Sequence, residues 1–226
     1  MAPRLSLQRR RAPLAPDNGA VSRGAPKLRV LSQNIWNSFF AGGPARLERV
    51  RALAHVAKSL EVDVVVVQEM FALALGPVVD RVECDAGEQL MGEIGLKHCT
   101  RFDSTLPWLG QSSGLVVYSR HPLSREQHGV FAQRRSVSCK GWQTVEVQAP
   151  DGSLTLVNTH LEHATSAPWR AVRRAQWEQV AAAAAAERAA GRSVVVVGDF
   201  NVCSRDFGQR LDGHAEYKAL CGSMGR

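Results

Sequence analysis

Five polar side chains stand where short apolar runs stop. Asn34 follows a run that begins at Leu28–Leu31. Glu69 closes Val62–Val67 after Gln68, and His160 closes Leu154–Val157 after Asn158 and Thr159. Asp199 and Asn201 follow Val194–Val197 and Gly198. Two carboxylates, two amides and one imidazole form an oxygen-rich set. Such a set suits a hard cation, Mg²⁺ or Mn²⁺, held by one or two carboxylates with water and substrate phosphate completing the shell. A histidine in that company suits proton transfer or stabilisation of phosphoryl charge better than zinc ligation. The implied chemistry is metal-assisted hydrolysis of a phosphoester. Taken singly, each residue has a plain structural explanation, because polar residues commonly end strands. Only their convergence carries the chemistry.

Convergence depends on the elements between them. Pro44 suits the first turn of a helix. Leu47, Val50, Leu53, Ala57 and Leu60 then recur at helical spacing. A helix of that length between two apolar strands predicts a β–helix–β unit with parallel strands. Parallel strands end at the same sheet edge, so Asn34 and Glu69 are expected side by side. The same logic applies downstream. Pro168 opens a helix, capped by Thr165 or Ser166, that runs through six alanines to Gly191. It places His160 and Asp199 at one edge.

Ser113–Ser119 and Trp142–Gln148 read as further strands, the second alternating in and out. Pro150-Asp151-Gly152 reads as the turn before Leu154–Val157. Residues 71–100 read as a helical stretch interrupted by Gly76-Pro77 and Gly87. The valine runs read as strands buried on both faces.

The chain has 226 residues and 45% apolar content, enough for one domain with a sizeable core. Residues 1–27 hold six basic side chains and one acid, which accounts for +5 of the net +7. The remainder is nearly neutral, a weak electrostatic footprint for duplex DNA. No run approaches the length of a membrane span. Residues 1–26 are expected to be a disordered basic tail, and 27–226 the domain. An Arg-rich organelle presequence is the alternative reading of that tail. The five cysteines are odd in number and form no C-x-x-C pair, which predicts reduced thiols. That and the lack of a secretory h-region favour an intracellular setting.

Ser32-Gln33-Asn34-Ile35-Trp36, Gln68-Glu69, Asn158-Thr159-His160-Leu161 and Gly198-Asp199-Phe200-Asn201 resemble the endonuclease/exonuclease/phosphatase superfamily. The resemblance implies a DNase I-like two-sheet α/β sandwich and assigns roles. Glu69 matches the principal metal-binding glutamate, and Asn34 the asparagine near metal and phosphate. His160 matches the histidine that stabilises or protonates the phosphoryl oxygen. Asp199 matches the aspartate that orients or activates water, and Asn201 the amide that fixes that water or the phosphate.

Gln68–Phe71, Ser113–Pro122, Lys140-Gly141, Gly198–Arg205 and Glu216–Leu220 are most similar to neutral sphingomyelinases. This implies cleavage of sphingomyelin to ceramide and phosphocholine, with Lys140, Asn34 and Asn201 binding substrate. The expected partner is a phospholipid at a membrane surface, with no stable nucleic-acid complex. Phe39-Phe40 and Pro107-Trp108-Leu109 could reach such a surface or pack internally.

The sequence departs from the family pattern in carrying no Asp-His pair. The expectation is a C-terminally shortened form of an active enzyme, poorly soluble and nearly inactive as given. Robust Mg²⁺-dependent turnover would refute this. A nuclease or an inositol- or sugar-phosphate phosphatase on the same scaffold is the alternative enzyme. An inactive interaction module is the alternative outside catalysis.

Overall fold

Four successive valines at 64–67 show no alternation, so their strand must be covered on both faces. In the computed structural model, which describes residues 28–101, 105–133, 138–164, 166–202 and 213–224, that strand is wholly buried. It is β2 (Val64–Gln68), and it lies beside β1 (Val30–Asn34), β7 (Val116–Ser119) and β5 (His98–Cys99) in the order β1-β2-β7-β5. The helix α1 (Arg46–Ser59) links β1 to β2, and the two strands run parallel.

A second sheet has the order β11-β10-β9-β8. Its strands are β8 (Leu123–Val130), β9 (Gly141–Ala149), β10 (Gly152–His160) and β11 (Val194–Asp199). The helix α3 (Ala167–Ala189) joins β10 to β11, again in parallel.

Alternation along β2 decides what each face meets. Val64 and Val66 pack with Val117, Val145, Val147 and Leu156 between the two sheets. Val65 and Val67 face outward onto α1 and onto α2 (Val82–Glu93). On the far side, Trp177, Val180 and Ala184 of α3 cover Val157. The result is a two-sheet sandwich with helices outside each sheet. A last helix, α4 (Gly213–Met224), lies against α3 through the paired Arg173–Glu216 hydrogen bonds, both 2.7 Å. Among the described residues no helix is long and apolar enough to cross a membrane.

Two expectations need correction. Residues 71–100 are not one helical stretch. Leu73–Leu75 (β3) and Val78–Asp80 (β4) form a hairpin around Gly76-Pro77, and only Val82–Glu93 is helical. The hairpin pairs with β6 (Leu109–Gln111) in a small third sheet, so a remote segment overrides local propensity. The second valine run is also not buried on both faces. β11 ends its sheet, and Val195 is 45% exposed.

Ser166 is the N-cap of α3 but makes no side-chain cap bond. Thr165, Cys203 and the basic tail lie outside the described residues. Cys84, Cys99, Cys139 and Cys221 are free thiols, as the odd and scattered cysteines predict.

Gly198 is required where β10 and β11 meet. It pairs with Thr159 at φ +147°, and a Cβ there would sit 2.1 Å from the Thr159 carbonyl oxygen. Gly198→Ala must therefore push the strands apart next to Asp199. It should lower the folding free energy by at least about 1 kcal/mol in urea titration, from backbone strain alone. An unchanged midpoint would show that the strand tolerates the side chain.

Candidate active site

Parallel pairing sets strand ends level. Asn34 is in register with Gln68, so Glu69 follows at the same edge, and His160 lies opposite Asp199. The two pairs belong to different sheets, and buried amides hold those sheets in register. Gln68 Nε2 donates to Asn158 Oδ1 at 2.9 Å, and Asn158 Nδ2 donates to the Val67 carbonyl at 3.1 Å. Both side chains are sealed from solvent. Sequence reading names Gln68 and Asn158 only as motif members and misses this clamp. A signal was available: the large majority of buried side-chain amides find a hydrogen-bond partner.

With the sheets clamped, Asn34 closes the site. Its Nδ2 donates one hydrogen to Glu69 Oε1 and the other to Asp199 Oδ2, both at 2.9 Å. One amide thus bridges two carboxylates that would otherwise repel. Its Oδ1 accepts from Trp36 N at 2.8 Å. Asn201 braces Asp199 from the other side. Its backbone N–H donates to Asp199 Oδ1 and its Nδ2 to the Leu161 carbonyl, both at 2.9 Å.

The backbone at this edge is held in an unusual conformation. Trp36, Glu69 and Asn201 all have positive φ (49°, 64° and 51°). Such values are uncommon outside glycine and gather at functional sites. The turn at Glu69 fits against Gly114, where a Cβ would lie 2.7 Å from the Phe71 ring.

His160 Nε2 is 3.8 Å from both Glu69 Oε1 and Asp199 Oδ2, too far for hydrogen bonds. Its near neighbour is Lys140. Lys140 Nζ lies 3.1 Å from His160 Nε2 and donates to the Leu161 carbonyl at 3.0 Å. An ammonium only donates, so Nε2 accepts and the ring proton sits on Nδ1. That Nδ1 is buried and, among the described residues, has no hydrogen-bond partner.

Burial, and then the Lys140 charge, push the imidazole down to about 3. His160 is therefore neutral near pH 7. Burial also lowers Lys140, opposed by Glu162, Glu69 and Asp199. Lys140 is only 5% exposed and is committed to His160 and Leu161, rather than extended into solvent.

The site thus gathers Asn34, Glu69, Lys140, His160, Asp199 and Asn201 at one end of the sandwich. Glu69 and Asp199 reach solvent, with side chains 14% and 31% exposed, while His160 does not. Among the described residues no three His, Cys, Asp or Glu side chains are grouped so as to enclose a metal alone. One or two carboxylates open to water are what Mg²⁺ takes when water and phosphate supply the other ligands. The donor set therefore fits a hard divalent ion. The pairing of His160 Nε2 with an ammonium disfavours a nitrogen-seeking one.

Comparison with known proteins agrees with the geometry. The Endonuclease/Exonuclease/phosphatase family model matches residues 31–216. Sphingomyelinase C from Streptomyces griseocarneus superposes with a TM-score of 0.67 at 21% identity, covering 88% of this chain and 70% of that one. A β toxin mutant from Staphylococcus aureus, solved with bound magnesium ions, gives 0.63 at 16% identity, covering 88% and 70%. Truncated TDP2 from Caenorhabditis elegans gives 0.59 at 23% identity, covering 82% and 67%. At such identities the likeness establishes the fold. No curated protein matches the chain.

The buried imidazole makes stability depend on pH. Its folded pKa, about 3, lies below the roughly 6.5 of an unfolded histidine. Between those values the unfolded chain binds a proton that the native chain refuses, so stability falls as pH drops from about 6.5 towards 3. His160→Asn should remove this component, seen as a shallower fall of Tm over that window than in the parent. Lys140→Met should raise the His160 pKa, measured by NMR titration, because a cation is removed while burial remains. A downward or absent shift would reject the Lys140–His160 contact.

Proposed function

The chain belongs to the endonuclease/exonuclease/phosphatase family of phosphoester hydrolases, and we propose that it is a metal-dependent phosphodiesterase acting on sphingomyelin. The observation that carries the hydrolase reading is the Asn34 amide joining Glu69 and Asp199, strand ends from different sheets. Such an arrangement gathers negative charge at an open edge beside a buried cationic lysine. That polarity suits a phosphodiester with one end on a cation and the other near Lys140.

Glu69 is the carboxylate that would hold Mg²⁺ or Mn²⁺, with Asn34 fixing its orientation. When bound, the ion would neutralise charge growing on the phosphoryl oxygens. Asp199, steadied by Asn34 and Asn201, orients the attacking water and accepts its proton. His160, neutral and almost sealed from solvent, positions the Lys140 ammonium through Nε2. The positive charge at that end of the cleft belongs to Lys140, so charge stabilisation is assigned to it rather than to an imidazolium. Asn201 acts through Asp199, because its own Nδ2 is engaged by Leu161.

Sphingomyelin as substrate is supported by the motif segments around Glu69, Ser113–Pro122 and Lys140-Gly141, and by the likeness to a sphingomyelinase C. The Endonuclease/Exonuclease/phosphatase family match supports a nuclease as the second reading. The near-neutral charge outside the basic tail weighs against that second reading.

Phosphocholine release from sphingomyelin and nicking of supercoiled DNA should be measured side by side, with Mg²⁺ and with a chelator. The expected result is metal-dependent lipid cleavage without nicking. DNA cleavage alone would shift the assignment to the second reading. Mg²⁺ should raise the Tm of the parent but not of Glu69→Gln, since a ligand of the native state stabilises it by mass action. Asp199→Asn should lower turnover by roughly 10²–10⁴-fold, and His160→Asn should lower it by releasing Lys140 from its partner. Equal Tm gains in parent and Glu69→Gln would remove Glu69 from the metal site.

A further inference from the structure

The Asn34 amide can bridge Glu69 and Asp199 only while its oxygen faces away from them. A flipped amide would turn Oδ1, an acceptor without hydrogens, toward two carboxylates. The Trp36 N–H guards against that, since it donates to Asn34 Oδ1 at 2.8 Å. Trp36 itself sits at φ 49°, an outlying conformation for a bulky residue. Its side chain is 58% exposed, so burial does not hold it there.

Arg49, in the first turn of α1, supplies the restraint. Its Nη2 donates to the Trp36 carbonyl at 2.8 Å and to the Gly42 carbonyl at 2.5 Å, with Asn37 Oδ1 at 3.3 Å. The guanidinium carbon lies 5.7 Å from the centroid of the Trp36 ring, within cation–π reach. Trp36 is thus pinned through both backbone polar atoms, the N–H by Asn34 and the carbonyl by Arg49. Gly42 closes the other end of the same loop, where its N–H donates to the Ser38 carbonyl at 2.8 Å. One guanidinium nitrogen therefore joins the two ends of the loop that leads from Asn34 into α1.

The neighbouring cation on α1 is spent differently. Arg46 pairs with Glu83 at 2.6 Å and lies 3.6 Å over the Phe39 ring. Among the described residues Arg49 meets no carboxylate, and its Nε is buried without a partner. Its polar contacts all go to uncharged oxygens of the loop. An orphaned buried donor is costly, so the fork is aimed at the loop at the expense of its remaining N–H.

We infer that Arg49 is a positioning residue for hydrolysis, holding the Asn34 amide through the Trp36 backbone in the orientation that bridges the two carboxylates. It acts through Asn34 and not on the reacting atoms. The inference rests on the hydrolase reading for its effect on rate, and on the hydrogen-bond chain alone for its effect on Asn34.

The first test needs no turnover. The side-chain amide signals of Asn34, assigned by their loss in Asn34→Asp, are followed by NMR in the full chain. In Arg49→Ala their hydrogen exchange should quicken by about tenfold, while the amides of Gln68 and Asn158 in the sheet clamp keep the parent's rates. The second test is a double-mutant cycle on sphingomyelin dispersed in detergent with Mg²⁺. Arg49→Ala should lower kcat by about tenfold with KM unchanged. In an Asn34→Ala background the same substitution should cost less than about twofold, because the route through the amide is already cut. Arg49→Lys should fall between parent and Arg49→Ala, since an ammonium donates but does not reproduce the guanidinium fork. It carries both tests if Arg49→Ala folds poorly.

Unchanged Asn34 exchange would overturn the inference. So would equal quickening at Gln68 and Asn158, which would make Arg49 a general stabiliser, or equal losses of kcat in the two backgrounds. A parent without turnover would refute the proposed activity and leave the exchange measurement to decide the role of Arg49.

Discussion

The site depends on two amides, Gln68 and Asn158, that pair between the sheets. Both are buried beside a layer of valine and leucine. An unpaired amide there would cost about 1–3 kcal/mol, while the bond itself contributes roughly 1 kcal/mol. The asymmetry makes the contact a register lock more than a source of stability. Sliding one sheet by one residue would orphan both groups at once. Glu69 follows Gln68 directly, and His160 is two residues beyond Asn158 on the same face. Fixing the amides therefore fixes the carboxylate and the imidazole relative to each other.

Polarity at the catalytic edge follows from that lock. Glu69 and Asp199 arrive from different sheets and share the two hydrogens of Asn34. Lys140 and His160 arrive from the β9–β10 hairpin side and are almost sealed from water. The carboxylates stay near solvent while the cation is buried. A substrate anion entering the cleft would meet exposed acids first and a desolvated lysine deeper in. This ordering is what the proposed divalent ion at the acidic rim rests on. Positive φ angles at Trp36, Glu69 and Asn201 gather at the same edge.

Legibility from sequence varied by element for physical reasons. Both parallel units were readable because a helix between two apolar strands admits one handedness and one edge for both strand ends. The meeting of Asn34 with Glu69, and of His160 with Asp199, followed from that. The hairpin at Leu73–Asp80 was not readable. Its strands have three residues each and are specified by pairing with Leu109–Gln111, more than thirty positions away. The edge position of β11 was hidden too. Four valines look alike whether or not a neighbouring strand covers the last one, and exposure of Val195 depends on sheet order.

Residue types and strand ends in the sequence determined which groups could do chemistry and, within each β–helix–β unit, which would be neighbours. Covalent spacing and chain chirality suffice for that, because both act locally. Tertiary structure alone decided how the two units face one another. It placed Lys140 against His160 and turned Asn34 into the bridge between carboxylates. Those outcomes depend on desolvation and on packing across the sheet interface, and neither is a property of any single stretch of chain.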